Sequence, residues 1–193
     1  MTPVPDLVLR PLDERTLADL LRFFEGPAFA DHPSWRSCYC HFPHADHARI
    51  RWAERSAAQN RDATCERVRE GRMHGWLAYA GDAVVGWVNA GPRVLIEGLF
   101  DEPEPLAERI GAIACFVVAP ERRGQGIATA LLRRACERLA EQGFDWAEAY
   151  PREGAEGAGA NHHGPLAMYR AAGFEVVKRE PDGALTVRKP LAA

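Results

Sequence analysis

The sequence predicts an α/β fold: one mixed sheet with helices on both faces. Three stretches carry that prediction. Residues 75–80 and 84–90 are β-prone runs that meet at Gly81-Asp82, a hairpin signal for antiparallel pairing. Residues 110–118 are apolar and partly β-branched, and pass through Pro120 and two glycines into an amphipathic segment, as a strand, turn and helix should. A further strand, 144–150, follows that helix. Strands joined first by a hairpin and then through helices imply a mixed sheet.

The remaining elements follow in chain order. Leu7 to Arg10 reads as a first strand and about Asp13 to Glu25 as a first helix. Residues 26–46 contain Pro27, Pro33 and Pro43 and read as irregular. A polar, charged helix is expected within 47–70, and an acidic, proline-containing loop with a short helical turn over 92–108. After Gly126 the apolar pairs Ile127/Ala128, Leu131/Leu132, Ala135/Cys136 and Leu139/Ala140 trace one buried helical face, ended by Gly143. A glycine-rich loop over 154–164 precedes a short helix through Tyr169. A last hairpin, Glu175 to Lys189, turns at Asp182-Gly183.

The 193 residues suffice for one compact domain, so a single domain over 1–193 is expected. With 47% hydrophobic and 26% charged residues the chain reads as globular rather than disordered. A net charge of −3 with no dominant basic face gives no support for nucleic-acid binding. The longest apolar run, around 110–119, is too short to span a bilayer, and no secretory pattern opens the sequence. Five scattered cysteines then read as reduced thiols, which places the expected location in the cytoplasm.

The chemistry is concentrated between residues 117 and 135. A helix start offers unpaired N–H groups and the positive end of a dipole, which together favour a phosphate. Gly124 and Gly126 allow close approach of backbone to ligand, and Arg122 and Arg123 add positive charge. A Walker A loop is excluded because no Gly-Lys pair follows. A dinucleotide fingerprint is disfavoured because Thr129 stands at its third small position and the upstream segment reads as a hairpin. Glu148 lies at a suitable distance for a ribose, but repeated βαβ units are missing.

A third pattern, Gln/Arg-x-x-Gly-x-Gly/Ala, is met by Arg123-Gly124-Gln125-Gly126-Ile127-Ala128. Together with Val118-Ala119-Pro120 before it, the long helix after it and MYRAAGF at 168–174, it resembles the GNAT N-acetyltransferase superfamily. The resemblance covers residues 110–180 well and the N-terminal third loosely. It implies a mostly antiparallel central sheet in which two parallel strands, 110–118 and 144–150, splay apart around acetyl-CoA as co-substrate. It further implies pantetheine pairing with Phe116, Val117 and Val118, and a diphosphate on the amides of Arg123, Gly124, Gln125, Gly126, Ile127, Ala128 and Thr129. A backbone N–H near Phe116 would polarise the acetyl carbonyl.

By the same resemblance Tyr169 is the expected proton donor to the departing thiolate, against the alternative of an aromatic packed on the sheet beside Phe174. Strand 110–118 has no acidic residue, so Glu148 is the nearest candidate base, on an alternating face with Trp146 and Tyr150. A structural carboxylate is the competing reading. Asn161 lies one place out of step with an asparagine of many relatives, and His162 takes the matching position. Cys38, Cys40, His41, His44 and His47 are soft ligands close together, but the Cys-x-Cys spacing is tight and no second cluster follows, so no metal is expected. In the superfamily this region closes over the acceptor, which makes Trp35, Tyr39 and Phe42 candidates for the amine pocket. Cys115 reads as a small core residue rather than a nucleophile.

The expected function is therefore transfer of an acetyl group from acetyl-CoA to a primary amine by direct attack on the thioester. The amine belongs to a small molecule or a protein, with mild acidity favouring a cationic small molecule. No nucleic acid and no membrane is expected as partner, and homodimer formation stays open. Alternatives are a non-catalytic acyl-CoA sensor, an acyltransferase with another donor or acceptor, and a zinc-dependent interaction module.

Overall fold

The computed structural model describes residues 6–99 and 104–191. Seven strands form one sheet: β1 (Leu7–Pro11), β2 (Gly75–Ala80), β3 (Ala83–Pro92), β4 (Ile110–Val118), β5 (Trp146–Ala149), β6 (Glu175–Arg179) and β7 (Leu185–Pro190). Their order across the sheet is β1-β2-β3-β4-β5-β7-β6. β4 and β5 run parallel and the other described neighbours antiparallel, so the sheet is mixed and mostly antiparallel, as expected.

The helices are α1 (Leu17–Glu25), α2 (Ala57–Arg69), α3 (Ile127–Glu141), α4 (Gly157–Ala160) and α5 (Leu166–Ala171). α3 buries Ile127, Leu131, Leu132, Ala135, Cys136 and Leu139, the stripe that its sequence spacing calls for. It ends at Gly143, whose N–H reaches Ala140 O at 2.9 Å while Phe144 N–H reaches Leu139 O at 3.1 Å. Those two crossed bonds are a Schellman end. α1 begins a turn later than expected. The Asp13 carboxylate accepts from the Arg15 and Thr16 amides at 2.8 and 3.2 Å, a local turn that competes with helix. α2 opens on a reciprocal cap between Ser56 and Gln59, which fixes its start at 57. The expected 154–164 loop contains the one-turn α4. The expected 92–108 loop contains short 3-10 turns at Arg93–Leu95, Glu97–Leu99 and Ala107–Arg109, and its residues 100–103 lie outside the described ones.

Side chains along the strands alternate between two cores. Leu77, Trp87, Cys115 and Val117 meet α1, α2 and the 28–40 segment. Val88, Ile113, Phe116 and Val118 meet α3 and α5 on the opposite face. The candidate site lies where β4 passes between these layers and leaves its parallel partner.

Candidate functional site

β5 accompanies β4 only from Ile110↔Trp146 to Ile113↔Ala149. β4 then continues to Val118 along β3 without β5 beside it. Ala119 N–H bonds to Val85 O of β3 at 3.0 Å, so by strand alternation the backbone groups of Val117 also face β3. Those of Phe116 and Val118 face the opening. A cavity of about 1030 Å³ runs along this edge, from the 122–129 loop to the segment under α1. Phe116, Val117, Val118, Arg123, Gly124, Gly126, Ile127, Ala128 and Thr129 all line it, so nine of the expected cofactor contacts converge on one space. Gln125 is the exception, and its amide turns back to donate to Glu121 O at 3.1 Å.

The candidate anion-binding end is a glycine loop at the start of α3. Gly124 and Gly126 hold φ of 73° and 82°, and a Cβ on either would meet nothing within 4 Å. The glycines are therefore required by backbone conformation, and the space beside them is open to a ligand. No side chain caps the start of α3 at Gly126, which leaves its first amides to bind an anion. Arg122 lines the cavity there. The Arg123 guanidinium is already committed: it bonds to Asp31 at 2.5 Å and to Val118 O at 3.2 Å, tying the 26–32 segment to the loop. A bound diphosphate fits this cradle, in charge and in clearance.

In the splay itself, a two-residue segment bridges toward β4. Phe116 N–H donates to His162 O at 2.7 Å, and His163 Nδ1–H donates to Ala114 O at 2.5 Å. Tyr169 O–H in turn donates to His163 O at 2.6 Å. The Tyr169 ring is fully buried, edge-on to Phe116 at 6.5 Å and to Phe174 at 5.2 Å. Burial pushes its phenol well above the usual range, so it stays protonated, and pushes His163 down to about 4, so that ring stays neutral. Asn161 ties its own loop, donating to Ala155 O and Gly157 O at 3.0 Å each.

Glu148 stands elsewhere. It is buried on β5 with Oε1 accepting from Arg93 Nε at 3.0 Å and Tyr150 O–H at 2.7 Å, while Oε2 accepts from Arg188. It lines a second cavity of about 750 Å³, which shares His162 and His163 with the first. The ion pairs come from residues far along the chain, so the alternation that placed Glu148 with Tyr150 could not reveal them.

The Cys/His stretch packs under α1 and α2. Cys40 Sγ accepts from Trp87 Nε1 and Asn89 Nδ2, both at 3.3 Å. The same Asn89 amide reaches His44 Nε2 at 2.9 Å, and His44 Nδ1–H donates to Leu95 O at 2.7 Å. Burial raises Cys38 to about 11 and lowers His41 and His44 to about 4. Among the described residues, no group of three or more His, Cys, Asp or Glu is arranged to hold a metal ion. Trp35 and Phe42 line the cavity as expected, whereas Tyr39 is in the core with its hydroxyl on Glu25 at 3.2 Å. Sequence reasoning missed His163, Trp52 and Asn89. The His162-His163 pair beside the Tyr169 motif was the one local sign available.

Among described residues no helix is long and apolar enough to cross a membrane. A family model described as the acetyltransferase (GNAT) family matches residues 29–174. No curated protein matches the sequence. Among solved structures, a GCN5-related N-acetyltransferase from Kribbella flavida is similar at TM-score 0.60 and 18% identity, over 96% of this chain and 98% of that one. The protein yncA of Salmonella typhimurium, solved with its cofactor acetyl-CoA, is similar at TM-score 0.59 and 13% identity, over 96% and 94%. An N-acetyltransferase from Staphylococcus aureus Mu50 is similar at TM-score 0.59 and 15% identity, over 97% and 99%. At these identities the structural likeness is one of fold. The family match spans the splayed strands, the glycine loop and the Tyr169 helix, and with it the chain belongs to the acetyltransferase (GNAT) family.

Proposed function

We propose that this protein transfers the acetyl group of acetyl-CoA to an amine by direct attack on the thioester. One observation carries the reading: an open glycine cradle at a helix N-terminus and the edge of β4 that has no strand beside it border the same cavity. Acetyl-CoA, when bound, supplies an acetyl group activated as a thioester. The Gly124–Thr129 amides and Arg122 bind its diphosphate, and the outward backbone groups of Phe116 and Val118 hold the amide-bearing arm. Phe116 N–H, once released by His162, is the donor that polarises the acetyl carbonyl. We assign the proton for the departing sulfur to Tyr169, whose fully buried O–H would have to leave His163 O to reach the cavity. We assign Glu148 to the ion-pair network with Arg93 and Arg188 rather than to proton abstraction, because donors already occupy both its oxygens.

The test is calorimetric titration with acetyl-CoA followed by measurement of free-thiol release over an amine panel. Binding together with amine-dependent thiol release is the expected result. Binding without release over the whole panel would favour a sensor and overturn the enzymatic reading.

A further inference from the structure

Beyond the acetyl carrier, the cavity has a second arm, under the 28–43 segment on the α1 side of the sheet. Phe29, Trp35, Phe42 and Trp52 stand along it. Trp35 and Phe42 keep 37% and 38% of their surface exposed, which leaves ring faces for a ligand to cover. Phe42 and Trp52 meet edge to face at 5.0 Å, and His32 stacks on Trp35 at 4.0 Å. Trp35 also reaches across the cavity to Gly159, where a Cβ would lie 2.7 Å from its ring. Aromatic rings therefore recur along the lining.

The charge distribution is one-sided. Among the described lining residues there is no Asp or Glu, and the arginines, Arg122 and Arg123, stand at the diphosphate end. The nearby carboxylates are spoken for: Asp31 by Arg123, and Glu25 by Arg61 and the Tyr39 hydroxyl. An alkylammonium entering this arm would lose hydration with no counter-charge to replace it. Two of the lining groups are poor proton acceptors, since burial keeps His163 neutral and weakly basic and keeps Cys38 a thiol, while the exposed His162, with Nδ1–H on Gly159 O, also lines the cavity. This points away from the cationic acceptor that overall charge favours: acidity of the chain is not acidity of the pocket.

We infer that the acceptor is an aromatic amine that arrives uncharged, its ring held against Trp35, Phe42 and Trp52. The inference rests on the acetyl-transfer reading above. The amine nitrogen forms its bond to the acetyl carbon, the carbon–sulfur bond breaks, and the nitrogen's proton ends on the sulfur of CoA.

The test compares ring-matched acceptors at pH 7 with saturating acetyl-CoA: 4-methoxyaniline, neutral, and 4-methoxybenzylamine, protonated, with spermidine as a third. The aniline should show kcat/KM at least about tenfold above the benzylamine, and spermidine should be inert. Trp35→Ala should raise the aniline KM with acetyl-CoA affinity unchanged. Ser34→Asp, an exposed cavity-wall position, should shift preference toward the benzylammonium. Acetylation of spermidine or the benzylamine in preference to the aniline would leave acetyl transfer intact and overturn this inference. Faster turnover with a medium-chain acyl-CoA, without an aryl preference, would assign the arm to the donor and overturn it too. Acetyl-CoA binding with no thiol release from any amine would instead sink the transfer reading itself.

Discussion

Replacing Tyr169 by Phe separates the two duties its hydroxyl can have. In the free protein that hydroxyl donates to the His163 carbonyl at 2.6 Å from a fully buried position. The ring contacts to Phe116 and Phe174 survive the substitution, so the structural cost is one buried carbonyl left without its donor, about 1–3 kcal/mol. For a chain of this size each kcal/mol moves Tm by about 2–4 °C, so Tm should fall by about 2–12 °C. If the phenol also protonates the departing sulfur, kcat should fall about 10²-fold or more. That loss equals a barrier increase of about 2.7 kcal/mol. Acetyl-CoA affinity should be unchanged or tighter, because the diphosphate cradle is untouched and the His162-His163 segment is less firmly held. Because burial holds the phenol far above its usual range, the wild-type rate should show no loss from Tyr169 ionisation near neutrality. Scanning calorimetry, titration with acetyl-CoA and steady-state kinetics read the three quantities separately. A kcat within about threefold of wild type, with normal affinity, would refute the proton-donor role and leave the hydroxyl as an anchor alone.

Gly126→Asp puts an L residue at a φ of 82°, a strain of about 1–2 kcal/mol, in space where its Cβ meets nothing, and its carboxylate would stand in the proposed anion cradle. Calorimetry should show CoA binding lost, and unchanged affinity in the folded variant would remove the diphosphate assignment. Glu148→Gln should cost up to about 3–5 kcal/mol, because Arg93 and Arg188 lose its buried carboxylate, although Arg188 keeps its ion pair with Glu104. Its pH–rate profile should keep the wild-type shape, whereas a lost acidic limb would restore Glu148 as a base. His41, His44 and His163 titrate near 4 in the folded chain against 6.5 when free. The unfolded chain therefore binds more protons between those values, and stability is lost as pH falls from about 6.5 toward 4, each histidine contributing up to about 1.4 kcal/mol per pH unit. Urea denaturation at pH 7 and pH 5 checks this, and equal midpoints would contradict it.

How much of this was legible depended on how local each cause is. The α3 stripe, the two left-handed glycines and the Gly81 and Gly183 turns are set by near neighbours, and sequence periodicity and turn chemistry locate them. The late start of α1 is also local, but Asp13 reads equally well as a helix cap and as the turn it forms. The 26–56 region is different. Ser37 O is held by Asn60 at 2.9 Å and Tyr39 O by Thr64 at 3.0 Å, so α2 fixes the loop from outside. Tyr39 and Cys40 adopt φ of 47° and 57° without being glycine, a conformation with no sequence signature. The same holds at the site. The glycine turn into α3 was readable from Arg123 to Thr129, but the Glu148 clamp and the His163 contact to Ala114 join residues 40 or more positions apart.

The His162-His163 segment has a thermodynamic consequence for ligand binding. Its two carbonyls sit on the Phe116 N–H and the Tyr169 O–H, the groups assigned to the thioester carbonyl and to the departing sulfur. On those assignments the free protein would carry a tethered competitor for its oxyanion donor, one whose local concentration dilution cannot lower. Measured affinity is then the intrinsic affinity reduced by the fraction of molecules in which the competitor has let go. On that reading, changing how readily the 162–163 carbonyls detach would shift binding strength without touching the glycine cradle at the start of α3.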